Sequence, residues 1–259
     1  MCGITGYVSK KPYTNCSTLK DMVDAIIHRG PNDKGLWHSD DYKVGMGHTR
    51  LSVIDLSPAG HQPMHSLSKK FTIVFNGEIY NHKTIRRELS KNFFCKWNGN
   101  SDTEVLLMAI EHWGVEKALK KAVGMFAFAI WNRQNQTLTI ARDRMGEKPV
   151  YYGWAGGNFV FSSELSSLRK FPDFNNEIDR NSLSKFLRYG SINAPYSIYK
   201  NIYKLEPGSY LVKDRKDNLT INKYWSIEEN IRDRSMFHGT KTQAVDELES
   251  VLSNAIDLQ

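Results

Sequence analysis

No run of eighteen apolar residues occurs in the 259-residue sequence, so no segment reads as a membrane-spanning helix. Cysteine is scarce. Cys2, Cys16 and Cys95 are the three present, and they are too far apart for a C-x-x-C pair or a zinc-ligand spacing. A disulfide framework and a structural zinc site are thereby excluded, and the thiols read as reduced and cytoplasmic. The opening residues carry neither the basic nor the apolar block of a signal peptide. The net charge of +7 invites a nucleic-acid reading, but the lysines and arginines are scattered. Lys117, Lys120 and Lys121 read as a solvated helix face, and no basic stripe is interleaved with aromatics. Neither a nucleic-acid partner nor a membrane is expected.

What is present suffices for a sizeable core: 40% of residues are apolar, with 12 Phe and 12 Tyr among them. The length allows one large domain, or one domain and part of another. Ile4 to Val8 reads as a short strand. Leu19, Met22, Val23, Ile26 and Ile27 recur at helical spacing over residues 17–28, stopped by Gly30-Pro31. Residues 43–53 read as strands around a Gly45/Gly47 turn. The apolar run 71–75 reads as a buried strand ending at the turn signal Asn76-Gly77. Asn81 is expected to cap a helix through Leu89. Ser101 to Glu104 has the S-x-x-E pattern of a capping box, ahead of a helix with Val105, Leu106, Ala109, Ile110 and Trp113 on one face. Residues 124–131 are almost wholly apolar, as in a strand covered on both faces. Strands over 137–141, 150–154 and 158–162 follow, without strict βαβ alternation, which suggests mixed layers. Beyond about residue 174 come a short helix from Asp179 to Tyr189 and a hairpin-like stretch over 209–225. Residues 226–241 are polar and linker-like. Val245, Leu248, Val251, Leu252, Ala255 and Ile256 then form one apolar stripe of a helix that starts near Thr242.

The first three residues are Met1-Cys2-Gly3. A methionine before a small residue is normally trimmed, which leaves Cys2 carrying both a thiol and a free α-amine. A thiol is a weak nucleophile until a base takes its proton, and an α-amine titrates near pH ~8, close enough to neutrality to act as that base. Alone, a cysteine at position 2 is more often a small buried hydrophobe than a nucleophile.

The surrounding stretches carry more. MCGITGYV at the start, HRGPNDKGLW at 28–37, GHTRLSVIDLSPAGHQPM at 47–64 and FNGEIYNH at 75–82 occur in that order. NSDTEVLL at 100–107, GMFAFAIWN at 124–132, ARDRMGEKPVYY at 141–152, FSSEL at 161–165 and PGSYLV with YW within 207–225 follow. Together they resemble the N-terminal glutaminase domain of the asparagine synthetase family, a class II glutamine amidotransferase. NGEIYN, GHTRLS and SDTE point to that branch rather than to phosphoribosyl or glucosamine amidotransferases. Thr49 and Asn132 depart from its pattern at positions assigned no chemistry. The SGG-x-DS phosphate loop of the family's ATP-pyrophosphatase half does not occur in the sequence.

The resemblance implies an α+β fold, the four-layer αββα sandwich of N-terminal nucleophile hydrolases. It implies that Cys2 attacks the carboxamide of L-glutamine to form a thioester, which water hydrolyses. Asn76 and Gly77 would form the oxyanion hole; otherwise they read as a hairpin turn. Arg50 would clamp the substrate α-carboxylate with its planar fork, and otherwise is a strand's surface charge. Asp102 would hold the substrate ammonium, although an acid in a helix's first turn is favoured by the dipole alone. Leu51, Val53 and Glu78 would line the same pocket. His28 and His48 are read as structural, since the amine already supplies a base.

Three segments are expected: a glutaminase domain over 1–225, a linker over 226–241, and the first helix of a truncated synthetase domain over 242–259. The glutaminase step needs no metal or cofactor, ATP and Mg2+ being required only in that synthetase half. Ammonia would serve the ATP-dependent amidation of aspartate. An acceptor such as a sugar carboxylate, and a silent glutamine-binding module, stand as alternatives. A homodimer is a further partner expectation.

Overall fold

The computed structural model describes residues 1–13, 16–53, 55–232 and 236–258. In chain order these form β1 (Gly3–Val8), α1 (Cys16–Asp24), β2 (Asp33–His38), β3 (Val44–Arg50) and β4 (Met64–His65). Next come β5 (Phe71–Ile79), α2 (His82–Asn92), α3 (Asp102–Trp113), α4 (Val115–Lys121), β6 (Gly124–Asn132) and β7 (Thr137–Arg142). Then follow β8 (Tyr151–Ala155), β9 (Asn158–Ser162), α5 (Leu165–Leu168), α6 (Arg180–Tyr189) and β10 (Ile202–Lys204). The remaining elements are β11 (Ser209–Lys213), β12 (Leu219–Lys223), α7 (Ile227–Arg232) and α8 (Lys241–Asp257).

The strands form two six-stranded sheets, ordered β10-β8-β9-β1-β3-β2 and β12-β11-β7-β6-β5-β4. Successive side chains of a strand point to opposite faces. On β6, Phe126, Phe128 and Ile130 therefore face Ile85 and Leu89 of α2 and the apolar side of α3. Ala127, Ala129 and Trp131 face the other sheet, meeting Ile4, Met46 and Phe161. That explains the unbroken apolar run: both faces of β6 are covered. On the outer face of the first sheet, Tyr7, Val160 and Ile202 pack with Leu19 and Met22 of α1 and Leu168 of α5. Helices, sheet, sheet and helices make four layers, the expected αββα sandwich. Each large apolar side chain so enclosed contributes about 1.5–3 kcal/mol of burial.

Several local expectations are corrected. Gly45 and Gly47 lie inside the single strand β3, not in a turn. A Cβ at Gly45 would press on the Tyr7 ring and one at Gly47 on Val23, so these glycines admit β1 and α1 to close approach. Asn76-Gly77 is no turn either, because β5 runs straight through it and pairs Asn76 with Ala127 and Gly77 with Phe126. The first helix ends at Asp24, and a 3-10 turn at Ile27–Arg29 completes the segment. Asn81 holds the N-cap position of α2 without capping it; its amide bonds the Lys121 carbonyl and the Val123 N–H instead. The 101–104 box is half made. Ser101 Oγ accepts from the Thr103 N–H, but the Glu104 carboxylate accepts from Asn98 and Gly99. α3 is buried nearly all round from Asp102 to Ile110, because α2, α4 and β5 flank it.

The expected linker contains α7, and its residues 233–235 lie outside the described ones. α8 begins with a complete capping box, Thr240 with Gln243. None of its described residues is buried, and Val245, Leu248, Val251 and Ile256 are all more than half exposed. No helix among the described residues is long and apolar enough to cross a membrane.

Candidate active site

Cys2 stands immediately before β1, whose Gly3 pairs with Thr49, so the thiol lies beside the end of β3. The Leu51 N–H donates to Cys2 Sγ at 3.4 Å, and Sγ lies 3.7 Å from the Leu51 carbonyl. Arg29 Nε donates to the Cys2 carbonyl at 2.9 Å, and its Nη1 is paired with Glu164 at 2.8 Å. Burial raises the thiol pKa above its ordinary value, partly offset by the Leu51 N–H. A thiol so placed needs a base. Among the described residues no imidazole is hydrogen-bonded to it: His28 is bound to Glu164, and His48 is tied to the Phe75 carbonyl. Burial holds His48 down to about 4, so its ring is neutral at ordinary pH.

Asn76 is buried, and neither atom of its side-chain amide has a hydrogen-bond partner among the described residues. Such a buried amide is costly unless something completes it. At Gly77 any Cβ would overlap the Met125 carbonyl, so only glycine lets β5 and β6 close here. Asp102 in the first turn of α3 accepts the Ile79 N–H at 2.9 Å and the Thr103 N–H at 2.8 Å. Burial nevertheless raises its carboxyl to about 6.

Arg50 ends β3 and is 8% exposed. Its Nη1 donates to the Ser57 carbonyl at 3.0 Å and its Nη2 to the Asp55 carbonyl. A Cβ on Gly60 would collide with the guanidinium, so that glycine makes its berth. Asp55 is held below its usual range by hydrogen bonds from Ser57 and from the Asn100 N–H, which ties this loop to the segment leading into α3.

Cys2, Arg50, Leu51, Val53, Asn76, Gly77, Glu78 and Asp102 all line one cavity of about 150 Å³. Every residue singled out from the sequence is thus brought together, with Val53 at the rim, 66% exposed. The sequence reading missed Asp55, Gly60, Gln62, Thr103 and Lys148, which line the same cavity. Gln62 was legible only as part of GHQPM. In the fold it is buried, accepting the Phe75 N–H at 2.7 Å and donating to Thr103 Oγ1 at 3.3 Å, so it braces the strand that carries Asn76. A larger cavity, about 600 Å³, opens near Val8, Val44 and Trp131, at the opposite ends of the strands that carry the site. Among the described residues no cluster of His, Cys, Asp and Glu is arranged to hold a metal ion.

The chain is similar to known proteins. The glutamine amidotransferase domain family model matches residues 1–225. The chain is 37% identical over 233 residues to asparagine synthetase (glutamine-hydrolyzing) 3 of Bacillus subtilis, covering 88% of this chain and 37% of that protein. It is 33% identical over 239 residues to amidase chry2 of Gibberella zeae, covering 88% of this chain and 35% of that protein. The chain therefore spans little more than a third of the length of these relatives. The solved structure of B. subtilis glutamine phosphoribosylpyrophosphate amidotransferase, complexed with ADP and GMP, is similar in fold. Its TM-score is 0.63 at 18% identity, over 87% of this chain and 50% of that one. The four-layer sandwich is thus a fold this chain shares with that amidotransferase. By the match over residues 1–225 and the order of its motifs, the chain belongs to the class II glutamine amidotransferase domain family.

Proposed function

We propose that this chain hydrolyses L-glutamine to glutamate and ammonia through a thioester on Cys2. With Met1 removed, the α-amine of Cys2 takes the thiol proton, and Sγ attacks the side-chain carboxamide carbon. The amide nitrogen leaves as ammonia once it has been protonated. Water then attacks the thioester, releasing glutamate and restoring the thiol. The tetrahedral oxyanion of each step is held by the Asn76 amide and the Gly77 N–H. Arg50 receives the α-carboxylate, Asp102 the α-ammonium, and Leu51, Val53 and Glu78 complete the walls. Neither metal nor cofactor takes part in this step.

The observation that carries this reading is the buried Asn76 amide without a partner, lining the same cavity as the Cys2 thiol. With Met1 in place, the Cys2 nitrogen belongs to a peptide bond and cannot be the base. The test is glutamate release from glutamine, without ATP, by protein whose mass shows Met1 absent. Cys2→Ala should abolish turnover and keep the fold; full activity with Met1 retained would overturn the amine as base.

The ammonia is proposed to serve the ATP-dependent amidation of aspartate in a synthetase domain beyond these residues, with ATP and Mg2+ bound there. The 242–259 helix belongs to that domain on this reading, and a homodimer is its expected assembly. A second acceptor class stays open on one observation: the same domain matches a protein named amidase chry2 as well as one named asparagine synthetase. Assaying the full-length protein with ATP and either aspartate or other carboxylates separates the two.

A further inference from the structure

Lys148 is a buried cation in the wall of the Cys2 cavity. Its Nζ has one hydrogen-bond partner among the described residues, Met1 Sδ at 3.3 Å, and no carboxylate among them is paired with it. A buried ammonium beside a thioether is expensive. Flexibility does not relieve it, because the loop that carries it is pinned from two sides. The Asp143 carboxylate accepts the N–H groups of Met145, Glu147 and Lys148, each at 3.0 Å. Arg142 donates to the carbonyls of Lys148 at 2.9 Å and Leu205 at 2.7 Å. Residues 142–148 thus hold a positive charge against the first residue of the chain, the residue whose removal creates the proposed base.

We propose that Lys148 is a positioning residue for the Cys2 nucleophile, its buried charge keeping the α-amine uncovered by Met1 removal in the neutral, proton-accepting form. The proposal rests on the thioester reading above. A fixed cation disfavours a second cation nearby and favours the negative charge that develops on sulfur and on the carboxamide oxygen. Both effects aid transfer of the proton from Sγ to the amine.

Other charges face the same point. Arg29 reaches it from the 3-10 turn, Arg50 from the end of β3, and Asp102 from α3. Glu78 lines the cavity from β5, and Glu164 offsets Arg29 while also binding His28. Burial already lowers the pKa of the amine at Met1, and Arg29 and Lys148 act in the same direction against the Cys2 charge. Of the flanking cations, Arg29 is paired with Glu164 and Arg50 donates to two loop carbonyls, whereas Lys148 has neither kind of partner among the described residues.

The test is the pH profile of glutamine kcat/KM for processed protein and for Lys148→Met, with Lys148→Gln as a second neutral variant. The acid limb, set by the amine, should move up by about one pH unit in both. Lys148→Arg should bring it back. The thermal midpoint of Lys148→Met should stay level or rise, since a buried unpaired charge has gone. An active neutral variant with an unmoved acid limb overturns the role of Lys148 alone. A processed wild-type chain without glutaminase activity overturns the thioester reading and this inference with it.

Discussion

The imidazole of His48 donates from Nε2 to the Phe75 carbonyl at 3.0 Å, tying β3 of one sheet to the strand of the other sheet that carries Asn76. Its role is that of a crosspiece, and burial keeps the ring neutral while it plays it.

Two buried groups of the site therefore respond oppositely to acid. His48 titrates near 6.5 unfolded but at about 4 folded, so its stabilisation is present above pH 6.5 and is lost as pH falls through 4. Asp102 is raised to about 6 in the fold, so its contribution is present below the unfolded carboxylate pKa and is lost as pH rises through 6. Each is about 3 kcal/mol, so across pH 4–6.5 the two nearly offset. Asp102→Asn removes one of them. Urea unfolding of both proteins between pH 6.5 and 4 should show wild type gaining about 3 kcal/mol on the variant as pH falls. Parallel curves would show that Asp102 is not displaced by burial.

The same carboxyl predicts substrate binding. If Asp102 receives the glutamine ammonium, protonating it below about pH 6 removes the attraction. KM for glutamine should then rise about tenfold per pH unit on the acid side, separately from the fall in kcat that protonating the Cys2 amine brings. Steady-state kinetics at saturating and limiting glutamine read this directly. A KM that stays flat down to pH 5 would remove Asp102 from the substrate's contacts.

Arg50 works on the protein as well as on the proposed substrate, because two of its donors hold the carbonyls of Asp55 and Ser57. Arg50→Lys keeps the charge but loses the fork, and should raise KM by about 10- to 100-fold. Gly60→Ala tests the same berth without touching the arginine, since its methyl would meet the guanidinium. It too should raise KM, with the Cys2 step spared. An unchanged KM in both variants would move the carboxylate site elsewhere.

How much of this was legible follows from the range of the interactions. Periodicity located the helices over 102–113 and 180–189 and the strands over 124–132 and 158–162, since burial imposes those patterns locally. Asn76-Gly77 misled, because the dipeptide satisfies a hairpin turn and a glycine-requiring strand crossing equally well, and only the Met125 carbonyl opposite decides between them. Gly45 and Gly47 failed for the same reason: their partners, Tyr7 and Val23, lie far off in sequence. The core of the site was readable through family motifs. Lys148 and Gln62 lie inside those motifs, but their places in the cavity wall were not legible, since a lysine and a glutamine carry no local sign that they will be buried.

α8 supplies the last prediction. Its capping box and 17 residues make a sound helix end, yet a helix of this length is marginal in water without a packed face. None of its described residues is buried, and its apolar stripe of Val245, Leu248, Val251 and Ile256 is open to solvent. No residue of the Cys2 cavity comes from it. Deleting residues 241–258 should therefore leave glutaminase kcat and KM within about twofold and shift the thermal midpoint by no more than about 2 °C, since no buried contact is removed. It should also abolish concentration-dependent self-association, because an exposed apolar stripe on an amphipathic helix seeks a second copy. Sedimentation of both chains over a hundredfold range of concentration, with the glutaminase assay alongside, checks both halves. Loss of glutaminase activity on deletion would mean that α8 packs on the sandwich in solution, and would return it to the first domain's core.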